Sequence, residues 1–119
     1  MKFEKLPKLN GAVIERLRVV LRDDSDLLAE QIKNGVAELW AIDNGVSYMI
    51  TRVEKRDLVV CCFDGKDLKN VVPHLLAAAK RMQLSYVRFH TRRPALSRLL
   101  NNYNMELYEY IYRGKVNEN

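Results

Sequence analysis

The residues best suited to chemistry lie in the second half of this 119-residue chain. Arg88, Arg92, Arg93 and Arg98 are permanently charged, and His90 stands among them. Guanidinium groups at this density can neutralise phosphates, and Tyr86 or Tyr103 could stack on a base. No helix-turn-helix, zinc-finger or RNA-recognition pattern accompanies them, so nucleic-acid binding would rest on charge alone. Cys61, Cys62 and His90 lack the spacing of a metal or thiol-imidazole site, and inert buried thiols are the simpler reading. There is no Walker loop, nucleophile elbow or zinc constellation, so no metal is expected.

Net charge is +5, and its distribution is uneven. Residues 1–60 hold ten basic and ten acidic side chains, whereas residues 61–119 hold ten and five. From Leu68 to Met105 there is no acid, against seven lysines and arginines. Such a field favours an anionic partner: a nucleotide, a nucleic acid or an acidic protein surface. The competing reading is a solvated basic face. Arg88, His90, Arg92, Arg93 and Arg98 are the expected anion-contacting set; the first four end a strand and precede a helix start.

These groups must be positioned by local structure. Tyr86 to His90 alternates apolar and polar residues, as a strand does. Pro94 suits the first position of a helix whose apolar face is Leu96, Leu99, Leu100 and Tyr103. Asn104 can end that helix, and Glu106 to Tyr112 reads as one further strand. Upstream, Leu58 to Phe63 is an unbroken apolar run, expected to be buried on both faces. Asp64-Gly65-Lys66-Asp67 closes it, with Asp67 an N-cap for a helix over Leu68–Gln83. The stripe of that helix is Val72, Leu75, Leu76, Ala79 and Met82. Pro73 within it costs about 3 kcal/mol unless regular structure starts near Asn70. A strand-helix-strand unit of this kind makes the two strands parallel neighbours.

The first half begins with an extended arm over residues 1–10, an edge strand at best. A helix over Gly11–Arg22 buries Val13, Leu17, Val20 and Leu21. Asp23-Asp24-Ser25-Asp26 interrupts it and caps a second helix, with Leu27, Leu28 and Ile32 inward and Asn34-Gly35 at its end. Glu38 to Ile42 and Val46 to Val53 form a hairpin around Asp43-Asn44-Gly45, whose Asn-Gly favours type I′. The order is ααβββαβαβ: a mixed α/β sheet of five to six strands with helices on both faces, in a single domain over 1–119 with residues 113–119 a frayed tail. No apolar run reaches the roughly 18 residues that span a bilayer, so no membrane partner is expected. Adjacent cysteines make a framework disulfide implausible and suit a reducing, cytoplasmic setting.

This order, with the closing run ALSRLLNNYNMELYEYIY, resembles the GNAT N-acetyltransferase superfamily from about Glu38 to Tyr112. A strand ending His-Thr-Arg-Arg-Pro is similar to small GNAT-like proteins of phage and prophage genomes, which would place the chain in a host cytoplasm or a virion. The resemblance implies acetyl-coenzyme A, its pyrophosphate held by a glycine-rich loop and a helix N-terminus. The matching residues are Gly65, Lys66, Asp67 and Lys69. This loop has one glycine rather than two or three, and Asp64 and Asp67 where phosphates should approach. The resemblance also implies a tyrosine that protonates the departing thiolate. Leu100 occupies that position, leaving Tyr103 as a substitute or an aromatic core anchor. A carboxylate base acting through water would be Glu38, Asp43 or Glu54, of which Glu54 is carried forward.

Three readings follow. The first is a compact, degenerate GNAT-like protein that binds acetyl-coenzyme A weakly or not at all and meets an anionic partner through its basic half. The second is a working acetyl-coenzyme A-dependent N-acetyltransferase with a variant loop. The third is a nucleic-acid-binding or structural interaction protein, including a homo-oligomer, with Tyr108, Tyr110 and Tyr112 at an interface.

Overall fold

The computed structural model describes residues 1–21, 25–65, 68–90, 106–108 and 111–116. Its strands, β1 (Phe3–Leu6), β2 (Ala37–Ile42), β3 (Ser47–Glu54), β4 (Asp57–Asp64), β5 (Tyr86–His90), β6 (Glu106–Tyr108) and β7 (Ile111–Lys115), hydrogen-bond in the order β1-β2-β3-β4-β5-β7-β6, a mixed sheet. The chain divides into two compact units, Met1–Arg52 with Cys61–Lys66, and Val53–Val60 with Asp67–Asn119.

The first unit opens with β1 (Phe3–Leu6), which pairs antiparallel with β2 (Ala37–Ile42) from Phe3↔Ile42 to Leu6↔Leu39. The start of the chain is therefore an edge strand. Helix α1 (Gly11–Leu21) is capped by Asn10, whose Oδ1 accepts a hydrogen bond from the Val13 N–H at 3.0 Å. Val13, Leu17 and Leu21 recur at four-residue spacing and are buried. The Val20 side chain and Asp23-Asp24, expected in that face and at the break after it, lie outside the described residues. In α2 (Ser25–Lys33), Leu28 and Ile32 are buried, but Leu27 is 55% exposed rather than inward. Leu28 and Ile32 share one face at four-residue spacing, and Leu27, about 100° round the helix from Leu28, falls on the solvent side of it. Gly35, at φ +77°, ends α2: its N–H donates to Ile32 O at 3.2 Å and that of Val36 to Gln31 O at 2.8 Å. Strands β2 and β3 (Ser47–Glu54) pair antiparallel through Ile42↔Ser47. Asn44 (φ +60°) and Gly45 (φ +93°) have the positive φ values of a type I′ turn. Asp43 is also left-handed at φ +51°, which stops the ladder one pair earlier. The helices press Leu9, Val13, Leu17, Leu21, Leu28 and Ile32 onto Ala37, Leu39, Ile50 and Cys62 in one core.

Strand β4 (Asp57–Asp64) contributes its first four residues to the second unit and the rest to the first. Leu58, Val59 and Val60 are buried in succession, as a strand covered on both faces requires, while Cys61 and Phe63 are half-buried. In the second unit, β4 and β5 (Tyr86–His90) are parallel neighbours from Asp57↔Tyr86 to Val60↔Phe89. The helix joining them, α3 (Leu68–Arg81), runs regularly from Leu68 with Pro73 inside it. Pro73 lies on the exposed side, where water can satisfy the carbonyl left without an N–H donor. Leu68, Val71, Val72, Leu75 and Ala79 are buried; Met82, beyond the helix, is 53% exposed. Gln83 adopts φ +60° at the cap, and the Leu84 N–H donates to Ala79 O at 2.9 Å.

The closing run, expected as one strand from Glu106 to Tyr112, holds two. β6 (Glu106–Tyr108) and β7 (Ile111–Lys115) pair antiparallel with each other, and β7 pairs antiparallel with β5 from Tyr86↔Lys115 to His90↔Ile111. These two strands and β1 account for a sheet larger than five or six. Residues 113–115 are strand rather than tail, and buried Val116 donates its N–H to Ser85 O at 2.7 Å. The helix expected from Pro94 to Asn104 lies outside the described residues, as do Tyr110 and the side chains of Tyr108 and Tyr112.

Candidate functional site

The resemblance to the GNAT superfamily implies a coenzyme segment at the end of β4. Gly65 stands there at φ +146°. A Cβ on it would lie 2.5 Å from Ser47 Cβ and 3.0 Å from Ser47 Cα, and closer still to Ser47 Oγ. Only glycine fits. Ser47 itself is buried, and its hydroxyl has no hydrogen-bond partner among the described residues. The β2–β3 hairpin is thus in direct contact with the residue that follows β4.

Asp64, the residue before this glycine, does not present a free carboxylate. Its Oδ2 accepts a hydrogen bond from Arg16 Nε at 2.5 Å. The same guanidinium donates to Gly45 O at 3.1 Å through Nη1 and to Val46 O at 2.6 Å through Nη2. It also lies 5.5 Å from the centroid of the Tyr48 ring. All three guanidinium nitrogens are used. Nothing in the sequence points to Arg16 or Ser47: one is a polar residue on an amphipathic helix, the other the second residue past an Asn-Gly turn.

Of the expected coenzyme-contacting residues, Gly65 is placed as described and Lys69 is exposed in the first turn of α3. Lys66 and Asp67 lie outside the described residues. The first-turn N–H groups of any α-helix lack partners within it, and the N-terminal end carries partial positive charge. In the first unit, an obligatory glycine and a strand-end carboxylate already paired with a guanidinium suit an approaching phosphate; in the second, a helix start with a lysine in its first turn does so on its own account.

The expected anion surface is assembled differently. Arg88 is three-quarters buried and donates to Glu54 Oε2 through Nη2, while its Nη1 lies 3.6 Å from Asp57 Oδ2. Its Nε is buried with no hydrogen-bond partner among the described residues. Two carboxylates therefore already partner the guanidinium expected to meet a ligand. Glu54 is correspondingly engaged by a guanidinium, which counts against it as a base. The other two carboxylates considered for that role also have partners: Lys5 Nζ lies 3.4 Å from Glu38 Oε1, and the Lys2 N–H donates to Asp43 Oδ1 at 2.8 Å. His90 ends β5 opposite Ile111. Arg92, Arg93, Arg98, Leu100 and Tyr103 lie outside the described residues.

Neither cysteine is in a disulfide. Burial pushes the Cys62 thiol up to about 12, helped by Cys61 and Asp64 and opposed by a hydrogen bond from the Ile50 backbone. Cys62 is a core thiol, not a nucleophile. Among the described residues no group of histidine, cysteine and acidic side chains could hold a metal ion, and no helix is long and apolar enough to cross a membrane.

No protein-family profile matches the sequence, and no curated protein does. Solved structures do match. A Bacillus subtilis acetyltransferase in complex with CoA is 12% identical, with a TM-score of 0.68 over 90% of this chain and 77% of that one. The chain has the GNAT fold. Ard1 from Thermoplasma volcanium is likewise 12% identical at a TM-score of 0.68, covering 98% of each chain. A GNAT-family acetyltransferase from Staphylococcus aureus is 11% identical at a TM-score of 0.59, over 97% of this chain and 99% of that one. At such identities the likeness establishes the GNAT architecture, and residue roles must be argued from the side chains themselves.

Proposed function

We propose that this chain is an acetyl-coenzyme A-binding acyltransferase of the GNAT type, with the coenzyme pyrophosphate held by the continuous segment from Gly65 to Lys69. The observation that carries this reading is the pairing of Asp64 with Arg16. Carboxylates beside the phosphates are the strongest sequence argument for a degenerate site; Asp64 is paired with Arg16, and Asp67 lies outside the described residues. Gly65 adds the side-chain-free backbone that lets phosphates approach, and Lys69 adds a cation in the helix turn that follows. Among the described residues of this segment, Gly65 is the one with a positive φ and a close neighbour. The fold likeness to a CoA-bound acetyltransferase supports the same reading.

When bound, the coenzyme supplies a thioester whose acetyl group passes to an acceptor. The chain's own residues bind and orient. The α3 N-terminus and Lys69 offset the pyrophosphate charge, and Gly65 presents a backbone with no side chain at the end of β4. The coenzyme is then the anionic partner that the basic second half suits, with Arg92, Arg93 and Arg98 supplying long-range attraction.

Calorimetry with acetyl-coenzyme A at near-physiological salt tests this. The expected result is micromolar binding, weakened several-fold by Lys69→Ala. Thermal denaturation gives an independent readout, because ligand at 100 times its Kd adds about 2.7 kcal/mol of apparent stability. No binding at millimolar coenzyme would return the chain to the degenerate reading.

A further inference from the structure

Arg16 is remote in sequence from every residue that composition and motif single out, yet its whole guanidinium is engaged. Its three nitrogens satisfy one carboxylate oxygen and two main-chain carbonyls, at 2.5, 3.1 and 2.6 Å. Three elements of the first unit meet around it: α1, which carries it, the β2–β3 turn, and the end of β4. An exposed ion pair contributes little to stability, and 42% of the Arg16 side chain remains accessible. The planar fork is what the geometry uses, since a lysine could not meet three acceptors in one plane.

The two carbonyls belong to Gly45 and Val46, at the end of a turn in which Asp43, Asn44 and Gly45 all have positive φ. The next residue, Ser47, occupies the space where Gly65 would carry a side chain. Arg16 thus holds the turn that abuts Gly65 and neutralises the carboxylate that precedes it. Without Arg16, Asp64 would keep a full negative charge one residue from the proposed pyrophosphate segment.

We infer that Arg16 is a positioning residue for coenzyme binding, acting through Asp64 and the Gly45–Val46 turn to make the end of β4 tolerant of a phosphate. This rests on the reading of Gly65 to Lys69 as the coenzyme segment. The charge part of the role is separable from the structural part by a four-variant comparison. Coenzyme A is titrated into the wild type, Arg16→Gln, Asp64→Asn and the double variant, each checked for folding by its melting temperature.

Arg16→Gln is expected to weaken binding about tenfold, the scale of one uncompensated charge at a partly solvated site. Asp64→Asn, which frees the guanidinium charge, should tighten it a few-fold. The double variant should recover most of the loss, because the offending carboxylate is gone. The Arg16→Gln deficit should also shrink as salt is raised from about 0.05 to about 0.5 M, since repulsion is screened and a lost scaffold is not. Wild-type affinity in Arg16→Gln overturns the inference, as does a double variant no better than Arg16→Gln. Should Arg16→Gln fail to fold, Asp64→Asn decides: binding a few-fold tighter than wild type is expected, and affinity equal to or weaker than wild type refutes the electrostatic role. Failure of the functional reading looks different, with the wild type itself silent toward coenzyme A, and it would remove this inference as well.

Discussion

Replacing Gly65 by alanine asks whether the end of β4 is built as closely as its geometry implies. Two costs add. Holding a residue with a Cβ at φ +146° is strained by about 1–3 kcal/mol. The new methyl must also sit 2.5 Å from Ser47 Cβ and 3.0 Å from Ser47 Cα, where overpacking costs about 1–3 kcal/mol more. Ser47 is only 1% exposed, so the hydroxyl can rotate but the rest of the residue has nowhere to go. Against this, alanine narrows the unfolded ensemble and returns about 0.4–1 kcal/mol. The net expectation is a loss of about 3 kcal/mol, the sum of two mid-range costs less that return. Urea denaturation should show it as a midpoint lowered by roughly 1.5 M at an unchanged m-value near 2 kcal/mol/M. The melting temperature should fall by roughly 10 °C. Combining Ser47→Ala with Gly65→Ala should recover little, because removing Oγ leaves Cβ and Cα in place. A loss under about 1 kcal/mol, or full recovery in the double variant, would refute the argument from close approach.

Other consequences concern the charges and the thiol. Arg88→Ala should destabilise by about 2 kcal/mol, since it strands Asp57, only 15% exposed on its side chain, beside Glu54 without the cation they share. The same variant should bind acetyl-coenzyme A within about twofold of wild type, and a tenfold loss would place Arg88 on the anion surface. Cys62 should resist iodoacetamide at pH 8 in the native protein and react once urea unfolds it, as followed by mass spectrometry. Its folded thiol titrates near 12 against an ordinary value of 9.0, so the unfolded chain releases its proton first. Stability from this group is therefore full below about pH 9 and falls as pH rises toward about 12, by up to about 1.4 kcal/mol per pH unit. Cys62→Ala should remove that slope, and a slope that survives the substitution would assign it to another group.

The fold is readable where one physical demand dominates each stretch. Val13, Leu17 and Leu21 mark the buried face of α1 by spacing alone, and Asn44-Gly45 names its turn because few other pairs tolerate positive φ twice. Leu58–Phe63 announces a central strand, and the helical stripe after it requires a parallel partner, which β5 is. Boundaries are less readable. Pro73 argues for a late start to α3, but a proline on the exposed side leaves only a carbonyl that water can reach, so the helix begins at Leu68. Phe3–Leu6 has no pattern of its own and becomes a strand because β2 offers it an edge.

The site is less legible than the fold for a reason that lies in the chemistry of charge. A sequence displays which residues carry charge but not which charges are already spent on each other. Asp64 reads as a repulsive carboxylate and Arg88 as an available cation, yet each is paired in the structure with a group of opposite charge. Arg16 lies 48 positions from Asp64, and Arg88 lies 34 from Glu54. Pairings at that distance follow from how the chain is folded back on itself, not from any local spacing. Gly65 is legible for the opposite reason. Its requirement is local, a backbone angle that other residues resist, and so it survives translation from sequence to structure. In this chain, therefore, the backbone requirement at Gly65 can be read from the sequence, whereas the electrostatic state of the proposed coenzyme segment depends on α1, a helix the motif does not contain.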